Sequence, residues 1–362
     1  MILMLLKALF TSKKLDNNSR LFRILALLLL YCLFQLNLTQ AFTQTLGAKV
    51  KQADTLSLDA QSNRWPKHAV RILVGFPPGS TPDMIARTIA DPLSKSMGQP
   101  VIVENHVGVS GNLAAQLVAR AQDDHTLGLL INGNLTTAKL LYPSLEFDPL
   151  RDFTPISLIA DSPLVLVAPV NLPNGRAFFK EAIAEGNHWN YGSVGTGSMA
   201  HLAMEALKSA TPGLVPVHIP YAGNPGVMNA LIGGEIQMAL VPIGVALPLI
   251  HSEKIQAIGL IDGRSILAPS VGALADLGIR SAANQLQVWD ALVGPKSLSK
   301  DAQLRLSKEI KALRLNNELR SQLFNQGWIF RATTEEGLKN IINPEFALMQ
   351  GLITKNKITI NP

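Results

Sequence analysis

The chain has 362 residues, 47% hydrophobic and 16% charged, a balance that excludes a disordered polymer and allows two globular domains. Its formal charge of +6 is misleading: residues 1–41 hold five Lys/Arg against one acid, and no basic cluster with interleaved aromatics follows, so nucleic acid is not an expected partner. The only cysteine, Cys32, rules out an intrachain disulfide and thiolate metal sites.

Arg20 and Arg23 precede ILALLLLYCLF (24–34), an uncharged apolar run of signal-peptide length and too short to span a bilayer comfortably. Residues 1–41 therefore read as an export signal, cleaved near Thr39-Gln40-Ala41, and the expected location is periplasmic. The alternative is an uncleaved membrane anchor, because the chain itself opens on the apolar MILMLL. Residues 42–64 are polar and aperiodic, a flexible spacer.

From Trp65 onward strands and helices alternate. VRILVGF (70–76) is rich in β-branched residues and stops at Pro77 and Pro78, which cannot donate to a sheet ladder. Ser80 or Thr81 suits a helix cap, Pro82 its first turn and Asp83 its positive end. Met84, Ile85, Thr88, Ile89 and Leu93 then recur at helical spacing. Further strands are expected at 100–105, 126–131, 189–194, 215–221, 236–241 and 255–260, with amphipathic helices at 113–121, 176–185, 198–209 and 226–233. Such alternation predicts an α/β fold with mostly parallel sheets. SPLVLVAPV (162–170) and LQVWDALVG (286–294) are extended apolar stretches that bracket 171–285, as two crossings between lobes would be. Beyond Lys300 the pattern is helical: DAQLRLSKEIKAL, NELRSQLFNQG and PEFALMQGLITKN, with WIFRA the one further strand candidate.

A second strand-loop-helix junction is YGSVGTGSMAHL (191–202). It matches G-x-G-x-x-A, but the next strand ends at Tyr221 with no acid to hold a ribose, so a dinucleotide site is not expected. Ser198 and His201 share a helix face, which raises a serine hydrolase as the alternative from another class. The plainer reading is that Ser198 caps the helix and His201 packs nearby. No His pair has zinc-site spacing, and neither a metal nor a cofactor nor a catalytic residue is expected. The loops 106–112 and 131–137 also follow strands, where α/β sheets gather ligands. Two helix N-termini, one per lobe, suit a ligand with two carboxylates without any arginine.

The ordered set WPKHAVRILVGFPPGSTPD, GQPVIVEN, GNLAAQLVARA, LYPSLEFDPLRDFTPISLIADSPLVLV, YGSVGTGSMAHL, VPVHIPYAGN and LIGGEIQMAL resembles the Bug family, the solute receptors of tripartite tricarboxylate transporters. The resemblance runs from Trp65 nearly to the C-terminus. It implies a bilobal periplasmic binding protein of type II, two α/β lobes around a cleft, with lobe 1 at 65–165 and 288–362 and lobe 2 at 166–287. It implies a monomer that captures a small mono-, di- or tricarboxylate for membrane transporter subunits; the alternative within binding is a receptor reporting to a signalling partner. Carried over by position, the ligand-binding residues are Phe76, Pro78, Gly79, Ser80, Thr81 and Asp83 of the first loop, and Ser193, Gly195, Thr196, Gly197 and Ser198 of the second. His201, Tyr221 and the turn holding Asn132 and Asn134 surround them. The sequence departs from the family at Gly79-Ser80, where a Gly-Gly pair is common, at Pro82 in place of Thr, and at Val241, where an aspartate is common. These departures put the ligand's identity in doubt, not the fold.

Overall fold

The computed structural model describes Tyr31 and residues 65–281 and 286–359. The expected signal and spacer lie outside the described residues, Tyr31 excepted. Contacts divide the chain into two units, Met1–Arg64 and Trp65–Pro362, and the strands and helices that follow belong to the second.

Its elements in chain order are β1 (Val70–Val74), α1 (Thr81–Met97), β2 (Val101–Asn105), α2 (Asn112–Arg120), β3 (Thr126–Ile131), α3 (Asn132–Thr136), α4 (Ala138–Leu141), β4 (Phe153–Pro169), α5 (Gly175–Glu185), β5 (Asn190–Ser193), α6 (Met199–Ala210) and β6 (Val217–Pro220). There follow α7 (Asn224–Ile232), β7 (Met238–Pro242), α8 (Ile243–His251), β8 (Ile255–Leu260), β9 (Gln287–Pro295), α9 (Lys300–Ala312), α10 (Asn317–Asn325), β10 (Ile329–Phe330) and α11 (Glu335–Asn356).

The strands form one path, β2-β1-β3-β9-β4-β7-β5-β6, with β8 and β10 also paired to β4. The expectation of mostly parallel sheets is only partly met. β1 runs parallel to β2 and β3, and β5 runs parallel to β6 and β7. β9 is antiparallel to β3 and β4, and β4 is antiparallel to β7, β8 and β10. The reason is connectivity: β4 leaves the first half of the sheet and β9 returns to it, so each runs against the strands that helices connect in parallel.

β4 is the shared element. It pairs with β9 from Phe153 to Pro163, then with β7 from Leu164 onward. Strands buried on both faces divide their side chains between cores. Ile72 and Val74 of β1 meet Ile85, Ile89 and Leu93 of α1, while Leu73 meets Ala114 and Val118 of α2. In the second half Leu164 and Leu166 pack with Tyr191 and Leu202, whereas Val165 and Val167 pack with Val227 and Leu231. With no disulfide available, burial carries the fold: each such aliphatic side chain contributes about 1.5–3 kcal/mol.

Two elements differ from expectation. The turn expected at 131–137 is the short helix α3, whose Thr136 hydroxyl donates to the Asn132 carbonyl. The last helix begins well before Pro344, at the Thr334 cap, whose hydroxyl accepts from Gly337 N at 3.0 Å. α11 carries Leu338 and Ile342 into a core of the first half and Met349 and Leu352 into a core of the second.

Candidate functional site

The carboxyl ends of β1, β3, β5 and β7 converge on a tight cavity of about 40 Å³. It is lined by Phe76 and Ser80–Pro82 from the first half, by Val194, Ser198–Ala200, Gly223, Asn224 and Pro242 from the second, and by Ile131, Asn132, Val288–Asp290 and Trp328. Ligands of open α/β sheets lie in this position. The helices α1 and α6 both start here, and their first intrahelical bonds are donated by Met84 to Ser80 and by Leu202 to Ser198. The amides before those bonds have no partner inside the helix and carry the positive end of its dipole. No Lys or Arg lines the cavity.

The first loop, FPPGSTPD, is held by its own helix. Ser80 takes the cap position but its side chain makes no cap bond. Asp83 instead turns back, accepting from Gly79 N at 2.9 Å, from Arg87 Nε at 3.0 Å and from Asn105 Nδ2 at 2.9 Å. Asn105 also donates to the Phe76 carbonyl at 2.9 Å, tying β2 to the loop. Burial works to raise the Asp83 pKa, but the bonds from Arg87, Gly79 and Asn105 outweigh it and hold the carboxyl below its usual range. Asp83 is thus a loop brace rather than a cavity wall.

The second loop, SVGTGS, is held by rings from behind and by the opposite half in front. Gly197 N donates to His201 Nδ1 at 3.1 Å, so that nitrogen is unprotonated. Burial, then the Lys208 charge, pushes the His201 pKa down to about 4. His201 stacks on His218 at 4.1 Å, and His218 stacks on Tyr191 at 4.8 Å. Burial, then its His201 neighbour, pushes His218 down to about 3; its Nε2 shares a 2.7 Å hydrogen bond with Ser193 Oγ. From the first half, Thr137 Oγ1 donates to Gly197 O at 2.8 Å and Tyr142 OH to Thr196 O at 3.1 Å. Asn224 Nδ2 donates to Thr81 Oγ1 at 2.9 Å, a third bond between the halves.

Ser198 Oγ accepts from the His201 backbone N–H at 3.4 Å, which makes it a helix cap. The imidazole Nδ1 is occupied by Gly197, so the two side chains do not form a nucleophile and base. Among the described residues no three His, Cys, Asp or Glu are grouped as a metal site.

Of the residues expected at the site, Phe76, Ser80, Thr81, Asn132 and Ser198 line the cavity. Pro78, Gly79 and Asp83 shape the first loop behind it, and Ser193, Gly195 and His201 support the second. Asn134, Thr196 and Gly197 line a smaller neighbouring cavity with Ser110 and Tyr142. Asn134 Nδ2 donates to Ser110 O and Asn112 Oδ1, and Asn132 Nδ2 to Gln287 O and Glu345 Oε1, so both amides brace the fold. Glu345 also accepts from Trp289 Nε1, and burial raises its pKa to about 7. Tyr221 donates its backbone N–H to Ser193 and lies outside the cavity lining. The sequence reading missed Asn224, Trp328 and Asp290. Only Asp290 left a signal, a lone acid inside the apolar run LQVWDALVG.

Residues 85–358 match the model of the tripartite tricarboxylate transporter family receptor. The chain is 28% identical over 301 residues to a UPF0065 protein in the tcbD-tcbE intergenic region of Pseudomonas sp. strain P51, covering 82% of this chain and 89% of that one. Among solved structures it is similar to MatC from Rhodopseudomonas palustris with bound malate, at 25% identity and TM-score 0.74, covering 80% of this chain and 100% of that one. It is also similar to Rpa4515 of R. palustris with adipate, at 25% identity and TM-score 0.77, covering 82% of this chain and 99% of that one.

Proposed function

Because this chain belongs to the tripartite tricarboxylate transporter receptor family, we propose that it is a periplasmic solute receptor whose two lobes close over a small organic carboxylate. The observation that carries this reading is the meeting of two helix N-termini, α1 and α6, on one cavity with no Lys or Arg in its lining. Backbone amides and helix dipoles then supply the attraction for a carboxylate. The malate and adipate in two similar structures support that ligand class. In this reading residues 65–165 with 288–362 form one lobe and 166–287 the other, joined through β4 and β9. Residues 1–41 direct export, the receptor is a monomer, and its partners are the membrane subunits of a tripartite carrier. No helix among the described residues is long and apolar enough to cross a membrane.

A thermal-shift screen of the chain from about residue 62 tests this. At about 100 times Kd a ligand adds about 2.7 kcal/mol, a rise of a few degrees for a protein of this size. At least one mono-, di- or tricarboxylate should give that rise, and sugars and nucleotides none. A clear rise with a neutral sugar and none with any acid overturns the reading.

A further inference from the structure

The cavity lining holds one titratable side chain, and it is an acid. Asp290 projects from β9, whose backbone lies between Ile131 of β3 and Ala160 of β4. It is 2% exposed, and its Oδ1 has no hydrogen-bond partner. Two other cavity-lining groups are buried and unpartnered, Ser80 Oγ and Trp328 Nε1. The rest of the lining is largely apolar.

The cations near this cavity, Arg331 and Arg87, are already engaged by other acids. Asp161, next to the residue paired with Asp290, accepts from Arg331 Nε at 2.9 Å. Glu345, behind Trp289, is occupied by that indole and by Asn132. Arg87 at the start of α1 is engaged by Asp83. Asp262, which accepts from Gln287 Nε2 at 2.9 Å, adds a further acid and no cation. A second carboxylate on the solute would meet an acid here, and leaving either unpaired in an apolar pocket is costly.

We propose that Asp290 is the specificity residue of the cleft and that the solute carries, besides its carboxylate, a protonated nitrogen that pairs with Asp290. The solute is then an amino or ammonium acid rather than a di- or tricarboxylate. Its carboxylate meets the helix N-termini and gives acceptors to Ser80 Oγ and Trp328 Nε1, and its nitrogen supplies the charge that Asp290 lacks. This rests on the carboxylate-receptor reading above. Burial holds the Asp290 pKa well above the ordinary carboxylate value in the empty cavity. An ammonium group must therefore displace that proton, and binding weakens as pH falls.

The test is calorimetry of wild type and Asp290→Asn at pH 8 and pH 5.5. The probes are β-alanine, 4-aminobutyrate and proline against succinate, malate and adipate. The tightest wild-type ligand should be an ammonium acid, at least tenfold weaker with Asp290→Asn and weaker at pH 5.5 than at pH 8. Should Asp290→Asn not fold, the wild-type ranking and its pH dependence still decide. A dicarboxylate that binds tightest, and tighter at pH 5.5, means that a protonated Asp290 donates to a second carboxylate. That overturns this inference and leaves the carboxylate receptor standing. Binding by no acid of either kind removes both.

Discussion

The two loops that open the cleft are alike in sequence and unlike in support. Each follows a strand, holds a glycine at positive φ and leads into a helix: Gly79 at φ 78° in the first and Gly197 at φ 85° in the second. A side chain at Gly79 meets open space, whereas one at Gly197 would come within 2.7 Å of Leu141 Cδ1 from the opposite half. The first loop is braced inside its own half by Asp83, Arg87 and Asn105. The second takes bonds from Thr137 and Tyr142 across the cleft. The first loop also takes one bond from the opposite half, from Asn224 to Thr81, but its main brace is local, whereas the front of the second loop is held by the opposite half.

The sharpest way to break this comparison is Gly197→Val against Gly79→Ala. Both force a side chain into the left-handed region, at about 1–2 kcal/mol, but only the first also obstructs apposition of the halves. Calorimetry should show Gly197→Val losing at least a hundredfold in affinity while remaining folded by circular dichroism, and Gly79→Ala losing tenfold or less. Equal losses would mean the loops are equivalent.

Next in size is Asp83→Ala, which removes three bonds to a charged acceptor and should cost about 1.5–3 kcal/mol in urea unfolding. The pH dependence should also tell the two loops apart. His201 and His218 have folded pKa values below the ordinary 6.5, so the unfolded state binds protons first. Their contribution is complete above pH 6.5 and is lost as pH falls toward about 4 and about 3. Asp83 is also depressed, but its contribution persists until pH falls below the ordinary carboxylate range. His218→Asn should flatten the stability profile between pH 6.5 and 4.5; Asp83→Asn should change it only below about pH 4.

Smaller effects test the closure bonds. Thr137→Val deletes one cross-cleft donor and should weaken binding by about fivefold, near 1 kcal/mol. Ser198→Ala removes a cap bond already 3.4 Å long, so its stability cost should lie near the bottom of the range of about 0.5–2 kcal/mol.

Much of this fold was legible in the sequence because its signals are local. Short apolar runs rich in β-branched and aliphatic residues and bounded by turn residues placed β1, β3, β5 and β8, and the ordered motifs bore out the family resemblance. What stayed hidden depends on distant partners. Nothing in SPLVLVAPV or LQVWDALVG states strand direction, so the antiparallel centre was not foreseen. The last helical stretch reads from Pro344, PEFALMQGLITKN, whereas the helix starts at the Thr334 cap and carries Pro344 in its interior. At the cavity, both junctions contribute lining residues, but Thr137, Tyr142 and Asn224 reach their partners from 60, 54 and 143 residues away. Asp290 was visible as an anomaly, yet its lack of a cation is a fact of three dimensions.

β4 changes neighbours between Pro163, the last residue registered to β9, and Leu164, the first registered to β7. No unpaired residue separates them, so no loose joint exists there at which one lobe can swing sharply. In the two-lobe reading, any closing rotation has to be taken up along the 17 residues of β4, about 55 Å at 3.3 Å each. The register shifts near Ser157, Ala160 and Val167 interrupt its ladders and are the places where such twist would gather. The register shifts thus lie in the middle of the sheet, and the loops that line the cavity lie at the ends of its strands.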